Sequence, residues 1–117
     1  MRAINMSSIV YLDDEVALTK IFELYFEDSH HEVKTFTSEM DAIDYCNKMP
    51  PDILFIDYRL ETMKGDLVAE QLPDSIYKVL VTGDIKVTTN FKFDLILNKP
   101  FKWAEIANAV KEVKSKE

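Results

Sequence analysis

Four short apolar runs, each closed by a polar group, constrain this chain more than any other feature. Ser8-Ile9-Val10-Tyr11-Leu12 leads into Asp13-Asp14, and Ile53-Leu54-Phe55-Ile56 leads into Asp57. Tyr77-Lys78-Val79-Leu80-Val81 leads into Thr82, and Phe93-Asp94-Leu95-Ile96-Leu97-Asn98 leads into Lys99-Pro100. The runs are partly β-branched and have the length of buried strands. Each delivers its polar residues at the carboxyl end. In an open parallel sheet, that edge is where ligands bind.

Between the runs the pattern turns helical. Residues 15–28 predict a helix with Ala17, Leu18, Ile21, Phe22, Leu24, Tyr25 and Phe26 apolar. Residues 32–37 predict a short strand. Residues 38–49 predict a second helix, with Ser38 as N-cap and Asp41 three positions on. Pro50-Pro51 ends it, because proline cannot continue a helix and restricts the residue before it. A third strand over 52–57 gives way to a loop over 58–65 and a short helix over 66–72, closed by Pro73. Strands follow at 77–82 and 93–97. A last helix runs from 102 to about 114, with Trp103, Ile106, Ala107, Val110 and Val113 on one face. Residues 83–92 have poor helical periodicity and three consecutive β-branched residues, Val87-Thr88-Thr89, so a short or irregular element is expected there. Parallel strands need crossovers, and those crossovers are right-handed. The alternation therefore predicts an α/β fold: a five-stranded, doubly wound parallel sheet with helices on both faces.

A chain of 117 residues fits one domain, residues 1–117, with its core over 8–114. The net charge of −7, from 21 acidic and 14 basic residues, argues against nucleic-acid binding, because neutralising phosphates needs a basic surface. Lys99, Lys102, Lys111, Lys114 and Lys116 do crowd the C-terminal end, where a helix dipole favours cations. No apolar run approaches the ~20 residues of a membrane span. The first six residues are too short and polar for a signal peptide. With a single cysteine, Cys46, these features lead to the expectation of a cytoplasmic protein without disulfides and without membrane contact. Cys46 reads as a small buried hydrophobe, and His30-His31 as a loop pair with no partner at metal spacing. Only two glycines, Gly65 and Gly83, are present, so no glycine-rich nucleotide loop is possible.

The strand ends carry the chemistry. Asp13, Asp14 and Asp57 are expected at the tops of neighbouring strands, where close carboxylates repel unless a cation intervenes. Mg²⁺ suits such a set, since it takes hard oxygen ligands and is commonly held by one or two carboxylates plus a phosphoryl oxygen. One carboxylate is alternatively a nucleophile able to accept a phosphoryl group. Lys99 would balance charge on phosphoryl oxygens, and the Thr82 hydroxyl would donate to one of them. Each piece alone has an ordinary structural explanation: Asp-Asp before a helix is a dipole signal, and Lys-Pro is a common surface turn. The weight lies in their falling, in order, at one end of successive predicted strands.

The chain resembles a response-regulator receiver domain of two-component signalling. Val10-Tyr11-Leu12-Asp13-Asp14-Glu15 is similar to the family's acidic pair, and Asp52-Ile53-Leu54-Phe55-Ile56-Asp57-Tyr58-Arg59-Leu60 to its phosphoacceptor strand. Met63-Lys64-Gly65, Val79-Leu80-Val81-Thr82-Gly83 and Lys99-Pro100-Phe101 complete the set. The resemblance spans residues 8 to about 114. It implies a flavodoxin-like sheet of order 2-1-3-4-5 and phosphorylation of Asp57. It further implies Mg²⁺ held by Asp13, Asp14, Asp57 and the backbone carbonyl of Arg59, and phosphoryl binding by Thr82 and Lys99. The implied donor is a histidine kinase or a histidine phosphotransfer protein, and the implied role is a switch rather than a turnover enzyme. Lys99-Pro100 is often a cis peptide in this family.

Four features shape further expectations. The family usually has an aromatic switch residue three positions before the lysine, where this chain has Ile96; Phe91, Phe93 and Phe101 are candidate substitutes. The interval from Thr82 to Lys99 is short, which places the missing length in the family's fourth helix. Arg59 and Asp84 each lie two residues beyond a site residue, and are expected to pair across the site and restrict water. The first helix is unusually apolar, so part of Leu18, Phe22, Tyr25 and Phe26 is expected to be exposed, with Leu18 and Phe22 as a docking surface for the kinase. The rival readings are a phosphorylation-independent receiver used as a binding module, a haloacid-dehalogenase-type phosphatase and a flavin module. The phosphatase would need an Asp-x-Asp nucleophile motif, and the flavin module a Ser/Thr/Gly-rich loop after the first strand. Neither motif is in this sequence.

Overall fold

Unbroken apolar strands require cover on both sheet faces, and the computed structural model, which describes residues 6–84 and 89–115, provides it. The elements in order are β1 (Ser8–Leu12), α1 (Val16–Tyr25), β2 (Glu32–Phe36), α2 (Glu39–Lys48), β3 (Ile53–Asp57), α3 (Gly65–Glu70), β4 (Tyr77–Thr82), β5 (Leu95–Asn98) and α4 (Trp103–Ser115). The five strands form one parallel sheet in the order β2-β1-β3-β4-β5, as expected. None of the described helices is long and apolar enough to cross a membrane.

Strand side chains alternate between faces, and the core divides accordingly. Ile9, Tyr11, Ile53, Phe55, Val79, Val81 and Leu97 face one way and pack with Phe22 of α1 and Ile106, Ala109, Val110 and Val113 of α4. Val10, Leu12, Leu54 and Ile56 face the other way and pack with Ala42, Ile43 and Cys46 of α2 and Val68 and Ala69 of α3. In α4 the buried alanine is Ala109, while Ala107 is only half-buried.

Several boundaries differ from expectation for local reasons. The first helix stops at Tyr25, short of residue 28. The chain turns there through Glu27 N–H to Leu24 O (3.2 Å) and Ser29 N–H to Phe26 O (3.0 Å), and acidic Glu27 and Asp28 are unfavourable near a helix C-terminus. Ser38 does cap α2, its hydroxyl accepting from Asp41 N–H at 3.3 Å. β5 begins at Leu95 rather than residue 93. Asp94 is held outside the ladder by a two-way contact with Lys78, donating its N–H to Lys78 O (3.0 Å) and accepting Lys78 N–H on Oδ2 (2.8 Å). Phe93 instead packs edge-on against Phe91, 4.8 Å between centroids, over the core on the α2–α3 side.

No helix occurs among the described residues between β4 and β5; the expectation for residues 83–92 falls partly on 85–88, which lie outside the described residues. Ile96 pairs with Leu80 and is about half exposed, on the face of β5 opposite Leu97. Buried Lys78 is an unforeseen feature of β4. Its ammonium donates to Pro73 O (2.6 Å) and Ile76 O (3.2 Å), and it lies 5.8 Å from the centre of the Phe91 ring.

Candidate functional site

Parallel pairing in register brings the carboxyl ends of β1, β3, β4 and β5 to one edge. Asp13 follows the last residue of β1, Asp57 and Thr82 end β3 and β4, and Lys99 follows Asn98 at the end of β5. One carboxylate oxygen from each of Asp13, Asp14 and Asp57 falls within 4.8 Å of the others. Asp13 is fully buried, Asp57 nearly so, and Asp14 is half-buried. Lys99 Nζ lies 3.0 Å from Asp57 Oδ1 and 3.3 Å from Asp13 Oδ2. The sequence-predicted acids and the lysine therefore do converge.

Thr82 is buried, and its Oγ1 accepts Asp84 N–H at 3.0 Å. Its carbonyl accepts Lys99 N–H at 2.7 Å, which fixes the start of the β5–α4 loop against β4. The peptide bond between Lys99 and Pro100 is cis. Arg59 Nε donates to both oxygens of Asp84, at 3.0 and 3.1 Å, so these two loop residues pair as anticipated. The Arg59 side chain itself is largely solvated.

Three carboxylates and one ammonium leave an excess of negative charge. Burial pushes the Asp57 carboxyl up to about 6; the hydrogen bond from Lys99 opposes that, while Asp13 and Asp14 add to it. Lys99 loses some basicity to burial, but its hydrogen bond to Asp57 and the charge of Asp13 outweigh that and hold the ammonium above its usual range. Such a pocket favours an added cation. Its donors are hard oxygens on adjacent strand tops, a set that fits Mg²⁺.

The sequence reading missed two residues that shape this site. Tyr11 Oη donates to Asp13 Oδ2 at 2.6 Å from inside the core, and Asp13 Oδ1 accepts Glu15 N–H at 2.9 Å. Period-two alternation places Tyr11 on the same side as Asp13, and the phenol in an otherwise aliphatic run was the available signal. Glu39, buried at the start of α2, accepts Thr62 N–H at 2.6 Å and the Thr62 hydroxyl. It ties the loop after Asp57 to α2. Burial alone would raise its pKa, but the bonds from Thr62 outweigh burial and the carboxyl is held below its usual range. No local pattern in the sequence links residues 39 and 62.

Gly65 closes the same loop. Its N–H donates to Tyr58 O at 2.8 Å, and a Cβ there would come within 2.7 Å of Asp57 O, too close for any side chain. On α1 the docking expectation needs correction. Phe22 is fully buried, stacked on Tyr11 with 4.4 Å between ring centroids, because its helical position points at the sheet. Phe26 is buried and Leu18 half-buried, whereas Val16, Ile21, Leu24 and Tyr25 are exposed. Leu18 and Ile21 line an apolar hollow with Pro100, Phe101 and Trp103, beside Lys99.

The chain matches the family model of the response regulator receiver domain over residues 9–111. No curated protein sequence matches it. Solved structures with the same fold include the signal receiver domain of an HD domain-containing protein from Pseudomonas fluorescens, at a TM-score of 0.83 and 16% identity, covering 94% of this chain and 98% of that one. A CheY-like response regulator receiver domain protein from Methanospirillum hungatei gives 0.82 and 18%, covering 96% and 99%. The response regulator TrrA from Thermotoga maritima, in complex with Mg²⁺ and beryllofluoride, gives 0.81 and 18%, covering 92% and 99%. With the family model spanning nearly the whole chain and the expected sheet order in place, the protein belongs to the response regulator receiver domain family.

Proposed function

We propose that this receiver domain takes a phosphoryl group on Asp57 from a phosphohistidine donor, with Mg²⁺, and thereby changes which partner it binds. The observation that carries the reading is the joint position of Asp57, two further acids and one ammonium at a single sheet edge. Asp13, Asp14, Asp57 and the carbonyl of Arg59 would hold the metal, which when bound supplies charge neutralisation for the incoming phosphoryl group. In the transfer, a carboxylate oxygen of Asp57 forms the new bond to phosphorus while the bond from phosphorus to the donor's imidazole nitrogen breaks. Lys99 meets the charge spread over the phosphoryl oxygens. Thr82 already accepts from Asp84 N–H, so its own hydroxyl hydrogen is the one it offers to a phosphoryl oxygen. The Arg59–Asp84 pair, two residues beyond Asp57 and Thr82, would restrict water and prolong the phosphorylated state.

The donor would be a histidine kinase or histidine phosphotransfer protein. Its docking surface is the exposed side of α1, formed by Val16, Ile21, Leu24 and Tyr25, with the adjacent hollow beside Lys99. The test is incubation with acetyl phosphate and Mg²⁺, followed by intact mass measurement. A gain of one phosphoryl group that disappears in Asp57→Asn is the expected result. A gain that survives the substitution refutes the assignment of the acceptor. Absence of any gain, and of any spectral response to beryllofluoride, favours a phosphorylation-independent binding module.

A further inference from the structure

Tyr11 makes a contact that phosphoryl transfer does not by itself require. The residue is almost fully buried, and its ring is stacked on Phe22 at an interplanar angle of 10°, so the hydroxyl is aimed by packing. A buried phenol must place its single hydrogen on an acceptor. Here that acceptor is Asp13 Oδ2, at 2.6 Å, an oxygen also approached by Lys99 Nζ at 3.3 Å. The same ammonium is nearer to Asp57 Oδ1, at 3.0 Å.

We propose that Tyr11 is a positioning residue whose hydroxyl satisfies Asp13 Oδ2 and so leaves Lys99 to Asp57. The inference rests on the phosphoacceptor reading above. Two carboxylates compete for one ammonium on a flexible stem, and the acceptor with fewer other donors attracts it more strongly. With the hydroxyl present, Asp13 has Tyr11 on one oxygen and Glu15 N–H on the other. Without it, Asp13 Oδ2 would be a buried acceptor with only Lys99 to turn to. The lysine would then draw back from the position where phosphoryl oxygens on Asp57 need charge. An aliphatic residue at this position has no hydroxyl and could not do this.

Tyr11→Phe removes the hydroxyl and keeps the ring stacked on Phe22. Beryllofluoride binding at saturating Mg²⁺, followed by Trp103 fluorescence, is expected to weaken about tenfold, the lower end of the effect seen when partners of site ligands are removed. Mg²⁺ affinity is titrated separately for both proteins and the site kept saturated, so that metal lost at Asp13 is not counted as lost beryllofluoride. A crystal structure of the variant should show Lys99 nearer Asp13 and farther from Asp57. Equal beryllofluoride affinity with wild-type binding intact overturns the role of Tyr11 and leaves the phosphoacceptor reading standing. Failure of the unsubstituted protein to bind beryllofluoride overturns both. A second measurement needs no variant: the Tyr11 hydroxyl proton should be protected from exchange in the NMR spectrum of the loaded protein. Free exchange there refutes the proposal even if Tyr11→Phe does not fold.

Discussion

The two edges of the sheet use the same residue type to opposite ends. At the amino edge, Asp52 Oδ2 accepts Ser8 N–H (2.8 Å) and the Ser8 hydroxyl (3.4 Å), while Asp52 N–H donates to Ser8 Oγ (3.0 Å). Asp94 there is engaged just as fully with the Lys78 backbone. At the carboxyl edge, Asp13, Asp14 and Asp57 face one another around Lys99. An aspartate whose oxygens meet backbone donors closes a strand junction and stabilises the fold. Aspartates that outnumber the available cations leave the fold with unbalanced charge, which an added cation and phosphoryl chemistry can exploit.

The contrast is sharpest in stability. The Asp57 carboxyl sits at about 6 in the fold against an ordinary 3.8. The folded state therefore binds that proton more readily than the unfolded chain, so metal-free stability rises as pH falls from about 6 toward 4 and the full penalty applies above 6. Asp57→Asn removes the penalty. It should raise the unfolding free energy at pH 7 by roughly 1–3 kcal/mol and flatten this part of the pH profile in thermal melts. Mg²⁺ should stabilise the unsubstituted protein more than the variant. A destabilised Asn variant would break the comparison. At the other edge, Asp52→Ala should act in the opposite direction, lowering stability by about 1–3 kcal/mol because Ser8 N–H loses its acceptor. Labelling by acetyl phosphate should be unchanged, and a labelling defect would show that the edges are not independent.

Glu39 sharpens the comparison from the side of the site. Its folded pKa lies below the ordinary 4.5, so its contribution is complete above that value and is lost as pH falls through the lowered folded one. Glu39→Gln should lower stability at pH 7 by roughly 1–2 kcal/mol, the difference from wild type narrowing in acid. A pH-independent difference would contradict the role of the charge. The smallest effect is expected from Arg59→Ala: unchanged melting, with a phosphoryl lifetime severalfold shorter. Asp84→Ala should match it, and the double variant should add nothing further, since one contact is removed in every case. An unchanged lifetime refutes a water-restricting role for the pair.

Local chemistry made much of this legible in advance. The apolar runs, the proline stops and the Ser38 cap were readable because strand length, helix capping and chain breaking depend on neighbours within a few residues. The first helix is too apolar for one core face; of the four residues expected to supply the exposed part only Tyr25 is exposed, and Val16, Ile21 and Leu24 make up the rest. Which apolar residues were outside was not legible. Phe22 and Leu24 differ only by the side of the helix that the sheet covers, and the choice depends on how α1 settles against β1 and α4. Phe93 looked like part of a strand, but packing against Phe91 drew it away.

The order of residues is enough to set the alternation of strand and helix, the parallel sheet this entails and the delivery of Asp13, Asp57, Thr82 and Lys99 to one edge. These follow from periodicity and from the handedness of crossovers, which every local segment obeys. Long-range packing was needed to settle that Tyr11 bonds to Asp13, that Glu39 holds Thr62 and that Lys78 is buried beneath Phe91. Each of these contacts depends on where two distant backbones come to rest and on which polar atom is left needing a partner once water is excluded, a condition set by the packed molecule as a whole.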